Sequence, residues 1–220
     1  MKPSPVTYHA PARVQEAVGL LAEHGEDAKV LGGGQSLVPL MNLRLASPLH
    51  LVDVTRVEAL AAIVRRDDAY EIGAAVRQAE AEDDPALMAA CPLLAAALPY
   101  IAHREIRNAG TVCGSLAHGD AAAELPAVAV ALDAELVIHG PRGERTLPAT
   151  EFFRSFLDTA LEPDELLAAV RFPIAQTGSG AAFHELARRH GDFAIAGAGA
   201  VVTVADGRVT DVRVACLGVG

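Results

Sequence analysis

Val30-Leu31-Gly32-Gly33-Gly34-Gln35-Ser36-Leu37 reads as a buried strand that runs straight into three glycines, a side-chain amide and a hydroxyl. Consecutive glycines let the backbone take positive φ and aim successive N–H groups at one point, the geometry of an anion-binding nest. The same residues also make an ordinary tight turn. No Gly-Lys-Ser/Thr follows, which excludes a P-loop, and Gly32-x-Gly34-x-x-Leu37 lacks the third glycine of the dinucleotide fingerprint. A second stretch repeats the chemistry: Gly110-Thr111-Val112-Cys113-Gly114-Ser115-Leu116-Ala117-His118-Gly119-Asp120, with Glu124 opening a helix close behind. Pyrophosphates bind at glycine-rich helix entrances of this kind. Two such loops, each after an extended segment and each followed by serine, point to one long phosphate-containing ligand held from both sides. Asp120 and Glu124 suit ribose or ribityl hydroxyls, and suit helix N-capping equally well.

Working outward, strand and helix signals alternate. Val6 to Tyr8 reads as a short strand; Ala10-Pro11 opens a helix with Val14, Val18 and Leu21 on one face, stopped by Gly25. Ala28 to Leu31 is a strand, Leu37 to Leu45 a short apolar segment, and Leu49 to Val54 a strand. A hairpin from Ile63 to Ala74 turns at Asp67-Asp68, and Ala-rich helices continue to Tyr100, divided by Pro85, Pro92 and Pro99. Ile106 to Ser115 reads as a turn-rich segment, followed by a helix over Ala122 to Leu132. Glu135 to Ile138 and Glu144 to Leu147 form a hairpin, and Leu166 to Phe172 is a further strand. Ala198 to Val204 and Val209 to Leu217 flank Asp206-Gly207, a strong hairpin signal. A lone hairpin is marginal, so these strands need cover that the remaining residues do not supply; the expectation is a clipped chain, or one completed within an assembly.

Composition narrows the function. The 220 residues carry 18 Lys plus Arg against 28 Asp plus Glu, a net charge of −10, and no basic run exceeds a pair such as Arg188-Arg189, which argues against a nucleic-acid binder. Hydrophobic residues at 51% require a folded core. With no Trp and 4% aromatics, a flat cofactor must lie against aliphatic side chains and backbone. Three scattered cysteines fit neither a disulfide scaffold nor a metal knuckle, and cannot ligate one four-thiolate cluster. No signal peptide or membrane span is legible, so the expectation is a cytoplasmic protein. Cys113, His118 and Asp120 match no structural zinc spacing, and no metal site is expected. Ser115, His118 and Asp120 lie too close along the chain for a hydrolytic triad, and no G-x-S-x-G elbow is present.

At the two loops the sequence resembles the FAD-binding medium subunit of molybdenum hydroxylases, the flavoprotein family of carbon monoxide dehydrogenase and xanthine dehydrogenase. The resemblance rests on Gly33 to Leu37, Asn42-Leu43-Arg44-Leu45, Ile106-Arg107-Asn108-x-Gly110-Thr111, Ser115-Leu116-Ala117-His118-x-Asp120, Glu124-Leu125-Pro126 and Arg188-Arg189-x-Gly191-Asp192-Phe193-Ala194, and covers essentially the whole chain. It implies an α+β architecture: a two-subdomain FAD-binding fold of the vanillyl-alcohol-oxidase/PCMH type, over residues 1–58 and 59–172, then an incomplete C-terminal α+β domain over 173–220. It further implies non-covalent FAD, with Leu31, Gly32, Gly33, Gly34, Gln35, Ser36 and Leu37 on one side and Ile106, Gly110, Thr111, Cys113, Gly114, Ser115 and His118 on the other. Asp120 and Glu124 would hold the ribityl or ribose hydroxyls, and Ile101 and Leu161 would pack on the cofactor.

Two departures from the family pattern stand out. Cys113 replaces a usual glycine, where a strictly positive φ would be strained, and Ala121 replaces a proline. Where some members carry a lysine that stabilises reduced flavin, this chain has His184 and Glu185, of which only a protonated His184 could serve.

The implied function is electron transfer. A partner iron–sulfur subunit with [2Fe-2S] clusters delivers electrons, a molybdopterin subunit hydroxylates the substrate, and the flavin passes electrons to NAD, oxygen, a quinone or a carrier. The alternatives are a free-standing flavin oxidoreductase of a related fold and a non-catalytic scaffold subunit that has lost FAD. No side-chain acid, base or nucleophile is required for the electron-transfer role, because the isoalloxazine carries the redox chemistry.

Overall fold

The computed structural model describes residues 2–219. Its first unit is a three-stranded sheet of order β1-β3-β2, built from β1 (Thr7–His9), β2 (Ala28–Leu31) and β3 (His50–Asp53), all parallel. The crossover from β1 to β2 is helix α1 (Val14–His24), which buries Ala17 and Leu21 and ends at Gly25 with φ +51°. Ala17 rather than Val18 completes the inward face. The link from β2 to β3 carries the triple glycine and a short helix, α2 (Leu37–Asn42).

The second unit is a five-stranded sheet of order β4-β5-β10-β6-β7. Hairpin β4 (Ile63–Arg65) and β5 (Ala69–Gly73) leads into helices α3 (Gln78–Asp83), α4 (Pro85–Ala90) and α5 (Pro92–Ala97). Pro85 and Pro92 start α4 and α5, since proline's missing N–H costs nothing at the first helical turn. The segment read as turn-rich is largely helical: α6 (Arg104–Arg107) and α7 (Val112–His118). Thr111 caps α7 by accepting from Gly114 N–H at 3.0 Å, a signal hidden among the glycines.

Helix α8 (Glu124–Leu132) follows and is apolar on every face, as befits a central helix, with Leu125, Val128 and Ala129 fully buried. Strands β6 (Glu135–Gly140) and β7 (Gly143–Pro148), helix α9 (Ala149–Phe152), the small pair β8 (Phe153–Ser155) and β9 (Asp158–Thr159), and β10 (Leu166–Pro173) complete the unit. β10 is the spine, antiparallel to both β5 and β6.

The last sheet is antiparallel and three-stranded: β11 (Ser179–Leu186), β12 (Ala196–Ala205) and β13 (Arg208–Leu217). Asp206 and Gly207, both at positive φ, form the tight turn the sequence signals. The terminal hairpin, expected to lack cover, is covered on one face, while Val209, Val212 and Val214 of its last strand stay exposed. β11, whose small residues Gly180 to Ala182 hide a strand signal, adds a third strand, and α5 and α8 pack on the sheet through Phe183, Ala215 and Leu217. These side chains join one continuous core with Leu21, Val52, Ile72 and Leu125.

Candidate functional site

The two glycine loops meet. A β-carbon on Gly33 would overlap the Ala109 carbonyl and stand 2.5 Å from the Gly110 Cα; one on Gly32 would stand 2.8 Å from the Thr111 Oγ1. Glycine is required at Gly32 and Gly33 by this close approach, and at Gly34 by φ +69°. Gly110 is held by Gln78, whose backbone N–H donates to the Gly110 carbonyl at 2.8 Å, and Val112 N–H donates to the Val76 carbonyl at 3.1 Å. The first loop is pinned internally, with the Gln35 amide donating to the Gly33 carbonyl at 3.2 Å.

Between and above the loops lies a cavity of about 720 Å³, within the usual size range of small-molecule sites. Gly32, Gly33, Gly34, Gln35, Ser36 and Leu37 line one side. Gly110, Thr111, Cys113, Gly114, Ser115 and His118 line the other, with Asp120 and Glu124 beyond them. Ile101, Ile106 and Leu161 contribute apolar wall. Leu31 and His184 do not line it. Leu31 ends β2 with its side chain beside Gly34, and strand alternation in β11 turns Phe183 and Glu185 inward while His184 faces out.

Cys113 does not meet the strain anticipated for it. It sits in the ordinary helical backbone of α7, and its thiol donates to the Ile72 carbonyl at 3.5 Å, where burial pushes its pKa up. That thiol is a core contact remote in role from His118 and Asp120.

The carboxylates differ. Asp120 Oδ1 accepts from Ala122 N–H at 2.9 Å and so shapes the turn before α8. Glu124 is buried at the start of α8; burial, opposed by its own backbone N–H and reinforced by the charges of Glu185 and Asp120, raises its carboxyl to about 7. Glu165 is also buried on the cavity wall. Burial pushes its carboxyl up, but the Arg145 fork at 2.9 and 2.6 Å, the Glu162 N–H and the Arg142 charge outweigh that and hold it below the usual range.

Sequence reading missed several lining residues. Gln78 lines the cavity while only 5% exposed, and its Oε1 is buried without a hydrogen-bond partner. Ala102 and Leu157 line the cavity at positive φ, a conformation no composition signal reveals. His103 and Phe193 close one end, where a β-carbon on Gly191 would stand 2.6 Å from the His103 ring. Arg107 supports the Ile101 wall from behind: its Nη1 donates to the Ile101 carbonyl at 2.8 Å and its fork grips Glu82 at 2.9 and 3.0 Å.

Glycine cradles, apolar walls, available carboxylates and an unpartnered amide oxygen together fit an elongated dinucleotide. The model for the FAD binding domain in molybdopterin dehydrogenase matches residues 4–175, and that for the CO dehydrogenase flavoprotein C-terminal domain matches residues 181–220. The chain belongs to the flavoprotein family of the molybdopterin dehydrogenases. Among relatives of this flavoprotein, the 6-hydroxypseudooxynicotine dehydrogenase complex subunit alpha of Paenarthrobacter nicotinovorans is 45% identical across 100% of this chain and 75% of its own length. The carbon monoxide dehydrogenase medium chain of Hydrogenophaga pseudoflava is 40% identical over 98% of this chain and 75% of its own. Carbon monoxide dehydrogenase from that organism superposes with a TM-score of 0.96, at 41% identity, over 99% of this flavoprotein and 76% of the solved chain. Quinoline 2-oxidoreductase from Pseudomonas putida superposes at 0.93 and 38% identity, over 99% of this flavoprotein and 75% of the solved chain. Among the described residues of the flavoprotein, no helix is long and apolar enough to cross a membrane.

Proposed function

We propose that this chain holds one FAD non-covalently in the cavity between the two glycine loops and relays electrons within a heteromeric molybdenum hydroxylase. The observation that carries the reading is the direct packing of Gly32 and Gly33 on Ala109, Gly110 and Thr111, which turns two weak loop signals into one cradle. Backbone N–H groups of Gly32 to Ser36 are the donors available to a pyrophosphate; those of Gly114 and Ser115 are already given to the Thr111 hydroxyl and carbonyl, which leaves the Ser115 hydroxyl as the donor on that side. Glu124 and Asp120 offer acceptors to hydroxyl and N–H donors. Ile101, Ile106 and Leu161 exclude water from the apolar part.

When bound, FAD supplies the redox chemistry, and the chain supplies position and electrostatics. Residues 1–58 and 59–172 are read as the two halves of the FAD unit, and 173–220 as the start of the C-terminal domain; sheet boundaries at Asp53, Ile63, Pro173 and Ser179 support that division. Relatives carrying the names of dehydrogenase medium chains and complex subunits support partners that bear the [2Fe-2S] clusters and molybdopterin. The cytoplasm is the compartment that cysteine usage favours.

Absorbance spectroscopy tests the reading. Protein desalted after FAD addition should show flavin bands near about 370 and 450 nm, and these should bleach when reduced partner subunits are added. Absence of the bands overturns the flavoprotein assignment for this chain; bands that persist with reduced partners overturn the relay.

A further inference from the structure

We infer that His9, His24 and His50 form a binding site for a divalent first-row transition ion of the zinc class. The three imidazoles come from separate elements. β1 and β3 pair so that Thr7 lies opposite His50 and His9 opposite Val52, which sets His9 and His50 on one face of the sheet. His24 is the last residue of α1, the helix packed across β2 and β3. Their ligand nitrogens all lie within 4.8 Å of one another, and each residue is half-buried. None of the three lines the cavity described above.

His9 Nε2 and His50 Nδ1 stand 3.0 Å apart. Tetrahedral coordination at about 2.0–2.1 Å sets nitrogens roughly 3.3 Å apart, so this pair needs only a small separation to share an ion. The His24 and His50 rings are stacked, with centroids 3.7 Å apart and planes at 5°. Stacked rings do not aim their lone pairs at one point, so His24 must turn about χ2 to join. A hydrogen bond between two neutral rings uses one lone pair and one proton. Among the described residues, no carboxylate pairs with any of the three. A divalent ion would take up the remaining lone pairs together. All-nitrogen donors favour zinc, nickel or copper over magnesium or calcium, and three histidines leave a fourth position for water. The ion would tie β1, β3 and α1 into one clip.

Titration of the tag-free chain with zinc chloride, against a chromophoric chelator, tests this. One equivalent should bind, and His9→Gln, His24→Gln and His50→Gln should each weaken binding by at least about tenfold, while His139→Ala changes nothing. Zinc at about a hundred times Kd should raise Tm by roughly 5 °C or more in the wild type, and little in His24→Gln. Circular dichroism in metal-free buffer verifies that the variants are folded, and His24→Gln, at a helix end, is the variant least exposed to misfolding. Zinc binding unaltered by all three substitutions overturns the site, as does an equal loss in His139→Ala or magnesium binding as tightly as zinc.

Discussion

Gly33 and Ala109, far apart in sequence, approach so closely that no side chain fits between them. This contact fixes the spacing of the two glycine loops and therefore the width of the cradle. Gly33→Ala places a methyl against backbone, which cannot swing aside as a side chain can. The expected cost is about 2 kcal/mol or more, read as a fall in Tm of roughly 4–8 °C.

Gly19 is the useful contrast. It lies inside α1 with open space where a β-carbon would go. Gly19→Ala should raise stability by about 0.5–1 kcal/mol, or roughly 1–4 °C in Tm, and leave flavin retention unchanged. A loss of flavin in this variant would mean that the change shifts α1, which reaches the cavity through Leu21.

Arg107 and Glu82 hold the cavity wall from the side away from the ligand. Arg107→Leu leaves Glu82 with Arg104 as its remaining partner and the Ile101 carbonyl without its donor, at an expected cost of about 1–2 kcal/mol in urea unfolding. Arg107→Lys restores charge without the planar fork and should recover less than about half of that loss.

Glu124 makes the cavity pH-sensitive. Its folded-state carboxyl lies at about 7 against an ordinary value of 4.5, so burying it favours the protonated form. The associated stability is complete below pH about 4.5 and is lost as pH rises through about 7, by up to about 3 kcal/mol. Melting curves of the flavin-free chain should therefore fall in Tm across this window, and Glu124→Gln should flatten that fall. If Glu124 accepts from a flavin hydroxyl, as proposed, FAD affinity should rise with pH over the same range in the wild type and stay level in the variant.

Much of the architecture was legible because it rests on short-range signals. Gly25 stops α1, Asp206-Gly207 makes the last hairpin, and the run from Ala28 to Leu31 ends in glycines, each within a few residues of its partner. What stayed hidden depends on distant contacts or on masked patterns. β11 is written in small residues and becomes a strand through pairing with β12; α7 is disguised by the glycines that adjoin its Thr111 cap. Gln78 and Arg107 have ordinary local sequence, and their roles come from elements that tertiary packing sets beside them. His184, expected at the cofactor, lies outside the cavity because strand alternation turns it outward, a parity set by the register of β11 against β12. The His9, His24 and His50 group is likewise invisible along the chain, since its members are joined only by sheet pairing and helix packing.

The most direct test of the loop cradle is a fluorescence titration of FAD into the wild-type chain and into Gly33→Ala. The expected result is saturation at one FAD per chain in the wild type and an affinity at least about tenfold weaker in the variant, a loss of about 1.4 kcal/mol or more. Equal affinities in two folded proteins would place the pyrophosphate elsewhere and contradict the cradle.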